Sequence, residues 1–469
     1  MKIGLTHLFR KYLPKNIIVA SSNRLLIILV IMMLSIFTVT ARAANHYVYS
    51  GATGSSDGSD WANAYTDLPS SFIRGDTYYV GAGSYAAHTF SQTTSGTALI
   101  TILKATVADH GTTTGWLDSY GTGQAVFNGK LEFTSSYWVV DGVTGGGPSN
   151  KWNQNLGFKI TETNDSNALI RVNYSGSANN ITIRHVEFQG KGSVSTQGGG
   201  YSNDGIAIYN SASNITLSYA WFHGIGRCPV FITGAQNIIF EYIYVSSYFG
   251  SGAVHSEVMS TGQGNMGDVT WRYSLVTDIE STGGLMWDNH TNANAHLYVY
   301  GNIFYKPTGA TWSQENGVIG GWTGGNGETF RNCFVYNNTF INVDYVPLSI
   351  LPKTYSGNIA ENNLFYNSAA PDFSRFATHD YNHFINSGGT QSEPHGSSAA
   401  SGSPFVDYLN LNFGLTAATI AGITLVPPFN LDPNTVTRGA DGVMDRGAFE
   451  FVSGTIINTP SAPILNNVQ

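Results

Sequence analysis

The chain is poor in charge and in cysteine. Of its 469 residues only 22 are Lys or Arg and 30 are Asp or Glu, 11% of the whole. So little charge does not suit long surface helices, whose outer faces are normally lined with Lys and Glu. Two cysteines, Cys228 and Cys333, exclude a disulfide-rich scaffold. There is no phosphate-binding glycine loop, no zinc-spaced Cys/His cluster and no Gly-x-Ser-x-Gly elbow, so no organic cofactor is implied. What the chain has instead is 54 Gly, 26 Tyr and 25 Phe, a composition suited to many short strands with tight corners.

The N-terminus stands apart. Lys2, Arg10, Lys11, Lys15 and Arg24 precede the apolar run Leu25 to Val39, and Ala41-Arg-Ala43 follows as a small-x-small cleavage site. The run is too short for a comfortable bilayer span, so residues 1–43 are expected to be a signal peptide, with an uncleaved anchor as the alternative. The expected location is secreted or at the cell surface. Six of the basic residues and none of the acidic ones lie in 1–43, leaving the remainder at a formal −14. Nucleic acid is therefore excluded as a partner, and no membrane contact is expected after cleavage.

From about Asn180 to Asn386 a strand-like unit returns every 19 to 36 positions. Asn180-Ile-Thr-Ile183 leads to Val186-Glu-Phe188, Asn214-Ile-Thr-Leu217 to Ala220-Trp-Phe222, and Asn237-Ile-Ile-Phe240 to Ile243-Tyr-Val245. Later units end in Asn302-Ile-Phe304, Asn338-Thr-Phe340, Asn363-Leu-Phe365 and Asn382-His-Phe384. The period-2 alternation, the Gly, Asn and Ser turns and the varying insertions predict an all-β parallel solenoid of stacked turns, one domain over 44–451. Asn180, Asn214 and Asn237 are read as a corner ladder rather than a site. Three to four turns separate the cysteines, roughly 15–20 Å at the strand spacing, so two buried, unpaired thiols are predicted.

A solenoid needs caps at its open ends. At the front, Asp60 is expected to N-cap a short helix presenting Trp61, Tyr65 and Leu68 on one face, stopped by Pro69. At the back, the segment 438–451 reads as a closing element, and 452–469, rich in Pro, Ser and Asn, as a tail or linker.

The opening Tyr47-Val-Tyr-Ser-Gly-Ala-Thr-Gly54 with Trp61, the run Gly75 to Tyr85, and the closing Asp445-Arg-Gly-Ala-Phe-Glu450 resemble those of secreted right-handed parallel β-helix proteins of the pectate-lyase-like superfamily. The resemblance covers nearly the whole chain after residue 43 and implies a single-stranded right-handed parallel β-helix with a long groove for a polysaccharide. Glu257-Val-Met-Ser260 and the Asn-Asn-Thr-Phe turns are loosely similar to the chondroitinase B and alginate lyase group. Other motifs of the superfamily are missing. Arg227-Cys-Pro229 half matches the Arg-x-Pro-x-x-Arg of pectate lyases, but Ile232 stands where the second Arg would be.

Candidate chemistry is read from strand alternation. Equivalent positions on adjacent turns lie ~4.8 Å apart, so a few turns can assemble a polar strip. His255 and Glu257 are expected together on the outer face, with Asp288 and His290 repeating the acid and imidazole pairing one turn on. These groups could provide a general acid and base, or Glu257 and Asp288 could hold Ca²⁺. Asp204, His223 and Arg227 form a second candidate cluster, Arg227 being suited to a substrate carboxylate. Tyr209, Trp287, Trp312 and Trp322 are candidate sugar contacts.

Three functions follow. The first is an exported lyase acting on a uronate-containing polysaccharide as a monomer. Its base would be His255, its neutraliser Arg227 or Ca²⁺, and its acid Tyr209. The second is a glycoside hydrolase with Glu257 and Asp288 as acid and base. The third is a glycan-binding or structural surface protein without catalysis.

Overall fold

The computed structural model describes residues 43–162, 168–191, 203–247, 256–261, 264–279, 282–310, 312, 317–321, 327–350, 354–388 and 392–453. The expected signal peptide, apart from Ala43, and the expected tail beyond residue 453 therefore lie outside the described residues. The chain divides into two units, 1–44 and 45–469, and the second carries the fold.

Among the described residues, 28 strands stack turn upon turn in one parallel ladder. Three faces can be traced. The first runs through Ile170–Val172, Ile206–Ile208, Val230–Ile232, Glu257–Thr261, Gly283–Met286, Ile319–Gly321 and Leu348–Ile350. The second includes Trp138–Asp141, Val269–Arg272, Leu297–Tyr300 and Cys333–Tyr336, and the third includes Phe158–Thr161, Ile303–Tyr305, Thr339–Ile341, Leu364–Tyr366 and His383–Ile385. Long strands such as Ser213–His223 bend from the second face into the third at one residue. The fold is a right-handed parallel β-helix.

The corners explain the repeat. Asn180, Asn214 and Asn237 all take left-handed backbone conformations, which Asn tolerates better than most residues. Their side chains link turn to turn, Asn214 donating to Asn180 at 3.0 Å and Asn237 to Asn214 at 2.5 Å. At the next bend His185, Tyr219 and Tyr242 are also left-handed, and their rings stack at 4.7 and 4.5 Å. That packing offsets backbone strain of about 1 kcal/mol or more per residue.

A second asparagine ladder is wholly buried. The Nδ2 groups of Asn302, Asn338 and Asn363 donate to the Oδ1 of Asn338, Asn363 and Asn382 at 2.9, 3.1 and 3.0 Å. Each also donates to a carbonyl of the preceding turn, so amides that would be costly when unsatisfied instead lock the register. Beside them Phe304, Phe340, Phe365 and Phe384 stack at about 5 Å through the core.

The front departs from expectation. Asp60 Oδ1 does accept from the Asn63 amide at 2.8 Å, as a cap would, yet residues 60–69 form turns and no helix. The reason is competition: the Tyr65 amide and carbonyl are spent on Tyr47 and Tyr49 in a bridge to the first strand. The one α-helix among the described residues is Asp118–Gly121, and none of them forms a helix long and apolar enough to cross a membrane. At the back, 445–451 straps across the outer side of the third face, where Ala448 donates to Thr339 Oγ1 at 2.8 Å and the buried Arg446 reaches the Asn382 carbonyl at 3.1 Å. Cys228 and Cys333 are buried and form no disulfide, as predicted.

Candidate functional site

The first face carries the candidate site. Ile206 and Ile208 point inward and pair with Val230 and Ile232, so Ala207, Tyr209 and Phe231 fall on the outer side. One turn earlier Arg171 sits in register with Ala207. The Arg171 guanidinium lies 4.7 Å over the Tyr174 ring, Tyr174 meets Tyr209 at 5.2 Å, Tyr209 meets Phe231 at 5.9 Å, and Arg227 lies 4.4 Å over Phe231. Two cations and three aromatic rings thus form one continuous patch.

Asp204 anchors it. Arg227 donates from Nε to Asp204 Oδ1 at 2.7 Å and from an Nη to Oδ2 at 2.5 Å, a planar fork that lysine cannot copy. Burial raises the Asp204 pKa, with Arg227 opposing it. Burial also works against the Arg227 charge, but the hydrogen bonds and charge of Asp204 outweigh it and raise its pKa. Burial likewise raises Tyr209, aided by Asp204, so the phenol stays protonated at neutral pH.

Several expected site residues fall elsewhere. Glu257 is not on the outer face: Met259 and Thr261 pair with the inward Val230 and Ile232, and Glu257 shares their side and is fully buried. The Cys228 thiol reaches Glu257 Oε2 at 3.4 Å. Asp288 is also buried. Its Oδ1 accepts from the His290 and Thr329 amides and its Oδ2 meets His290 Nδ1 at 2.5 Å, so the expected acid and imidazole pairing exists but serves a turn.

Glu257 aligns with Gly283, and Asp288 lies past the end of that strand at Met286, so it falls in the following turn. Among the described residues no cluster of three or more His, Cys, Asp or Glu is placed to hold a metal.

Trp287 belongs to the core, its Nε1 donating to the Arg331 carbonyl, and Trp312 is buried likewise; neither is a sugar platform. His223 does not join Asp204 and Arg227. It ends a strand of the third face, and the turn after it carries the chain to the first face, so His223 Nε2 meets Glu187 at 3.0 Å instead. His255 and Trp322 lie outside the described residues.

Sequence reasoning missed Arg171, Tyr174 and Phe231. The alternation Ile170-Arg-Val172 carries a signal for an outward Arg171, but its aromatic neighbours come from other turns or from beyond a corner. It also missed Glu187, which takes His223, Lys159 at 2.8 Å and Gln124 at 2.8 Å.

No protein-family model matches the chain, and no curated protein matches it. Among solved structures it is similar to pectate lyase Pel9A, with a TM-score of 0.55 and 14% identity over 88% of this chain and 97% of that one. Fainter likenesses are to the GH136 lacto-N-biosidase of Eubacterium ramulus (TM-score 0.29, 10% identity, 76% of this chain and 67% of that one) and to the PL6 polysaccharide lyase Pedsa3628 of Pseudopedobacter saltans (0.28, 12%, 78% and 94%). The fold is that of the pectate-lyase-like right-handed parallel β-helices.

Proposed function

We propose that the chain is an exported polysaccharide lyase that cleaves a uronate-containing glycan by β-elimination along the outer side of the first face. The fold alone hosts many functions, so the reading rests on the site. The observation that carries it is the patch of Arg171 and Arg227 with Tyr174, Tyr209 and Phe231. A uronate needs a cation beside its carboxylate, because that charge opposes removal of the adjacent C5 proton. Asp204 compensates the charge of Arg227, so Arg171 supplies the positive field of the patch and Arg227 supplies an oriented hydrogen-bond donor. Tyr174, 55% exposed, offers a ring to the apolar side of a sugar.

In this reading the Arg171 and Arg227 side bears the substrate carboxylate. A base takes the C5 proton, the C4–O bond breaks, and Tyr209 donates a proton to the departing oxygen, leaving a C4–C5 double bond. No residue of the patch is assigned as the base, because the outward placement of His255 rests on the same alternation as that of Glu257, which is buried. Mass spectrometry of digests tests the reaction class: unsaturated non-reducing ends support it, and saturated ends would replace it with hydrolysis.

A further inference from the structure

At the corner between the second and third faces, far round the turn from the Arg171 patch, lies a half-open cavity of about 320 Å³. Lys104, Thr106, Gln124, Thr144, Asn153, Asn155 and Leu156 line it, together with glycines 121, 123 and 157. Lys104 ends the strand Ile100–Lys104 and is only 2% exposed. Its ammonium donates to the Ala105 carbonyl at 2.6 Å and to the Tyr120 carbonyl at 3.3 Å. An ammonium has three donors, so one is left over. Among the described residues no carboxylate lies within 4 Å of it. Glu187 and Lys159 stand beyond Gln124, which donates to Glu187 at 2.8 Å.

A buried, unneutralised cation is costly, and burial brings the Lys104 pKa down to about 8. An anion entering the cavity would relieve that cost. Apart from Leu156 and the glycines, the remaining side chains of the lining are amides and hydroxyls, which match alcohol groups. We propose that this cavity is a second ligand site, which takes a small hydroxylated carboxylate the size of a single sugar acid, its carboxylate on Lys104 and its hydroxyls on Gln124, Thr144, Asn153 and Asn155. The site is separate from the proposed cleft and does not depend on the lyase reading.

Calorimetric titration of the full chain with free glucuronate and galacturonate tests it, with glucose lacking the charge and acetate lacking the hydroxyls. Both uronates are expected to bind, and glucose and acetate at least about tenfold more weakly, the worth of one charged hydrogen bond. Affinity should hold below pH 8 and fall above it as the amine loses its proton. Lys104→Met should abolish binding, and the half-exposed Asn153→Ala, which removes no core contact, should weaken it while the circular dichroism spectrum stays unchanged. Uronate binding that survives in Lys104→Met, glucose binding as tight as glucuronate, or no heat from either uronate would each overturn the proposal.

Discussion

Arg227 and Asp204 form a bidentate pair at 2.7 and 2.5 Å, and Asp204 is almost wholly enclosed. The pair holds the guanidinium flat over Phe231. Removing one member strands the other, so Arg227→Ala is expected to destabilise the fold by about 3 kcal/mol, whereas the double variant Arg227→Met with Asp204→Leu should recover much of that loss. Urea unfolding of the three chains checks this.

The buried asparagine ladder makes a second prediction. Asn338 accepts from the Asn302 amide and side chain and donates to Val299 and Asn363. Asn338→Leu keeps the branched heavy-atom skeleton but leaves these groups unmet, a cost of about 3 kcal/mol or more. A melting temperature within a degree or so of the parent would show that the ladder contributes little.

Two carboxylates should give opposite pH dependences. Glu187 is buried, which alone would raise its pKa, but His223, Lys159 and Gln124 together hold it down to about 2, below its ordinary 4.5. Its contribution is present above about pH 4.5 and is lost as the pH falls towards 2. Burial pushes Glu450 up to about 7, so its folded form binds the proton more tightly than the unfolded chain. That contribution is present in acid and declines as the pH rises from about 4.5 to 7. Unfolding free energies of Glu187→Gln and Glu450→Gln across this range should each lose the corresponding slope.

Burial raises the Cys228 thiol pKa, with Glu257 and Asp204 adding to it, and burial alone raises that of Cys333. Thiolate reagents should therefore label neither cysteine in the native chain and both after unfolding. Rapid native labelling of Cys228 would contradict the buried column it forms with Glu257.

The fold was legible because its signals repeat. Asn180, Asn214 and Asn237 mark one corner, and Phe340, Phe365 and Phe384 one core stack, so errors at any single turn average out. The site had no such redundancy. Val254 and Val258 flank Glu257 in a way that suggests an outward acid, yet the phase of that strand is fixed by Met259 against Val230 on the preceding turn. A phase set 29 residues away cannot be read from local alternation. His223 failed for a related reason: the turn between it and Arg227 changes face, and four residues of sequence separation conceal a corner. Tyr209 lies on the outer side because it follows the inward Ile208, whose phase is set against Ile232, whereas Asp204 and Arg227 meet through their ion pair.

The most direct test of the lyase reading is ultraviolet absorbance of the unsaturated product while the purified chain meets a panel of polyuronates and neutral glycans, beside Arg171→Ala and Tyr209→Phe chains shown to be folded. The account predicts rising absorbance on at least one polyuronate, lowered about a hundredfold or more in both variants, within the range for a lost acid or charge-stabilising group. Activity undiminished in Arg171→Ala and Tyr209→Phe, or silence across the whole polyuronate panel, would contradict it.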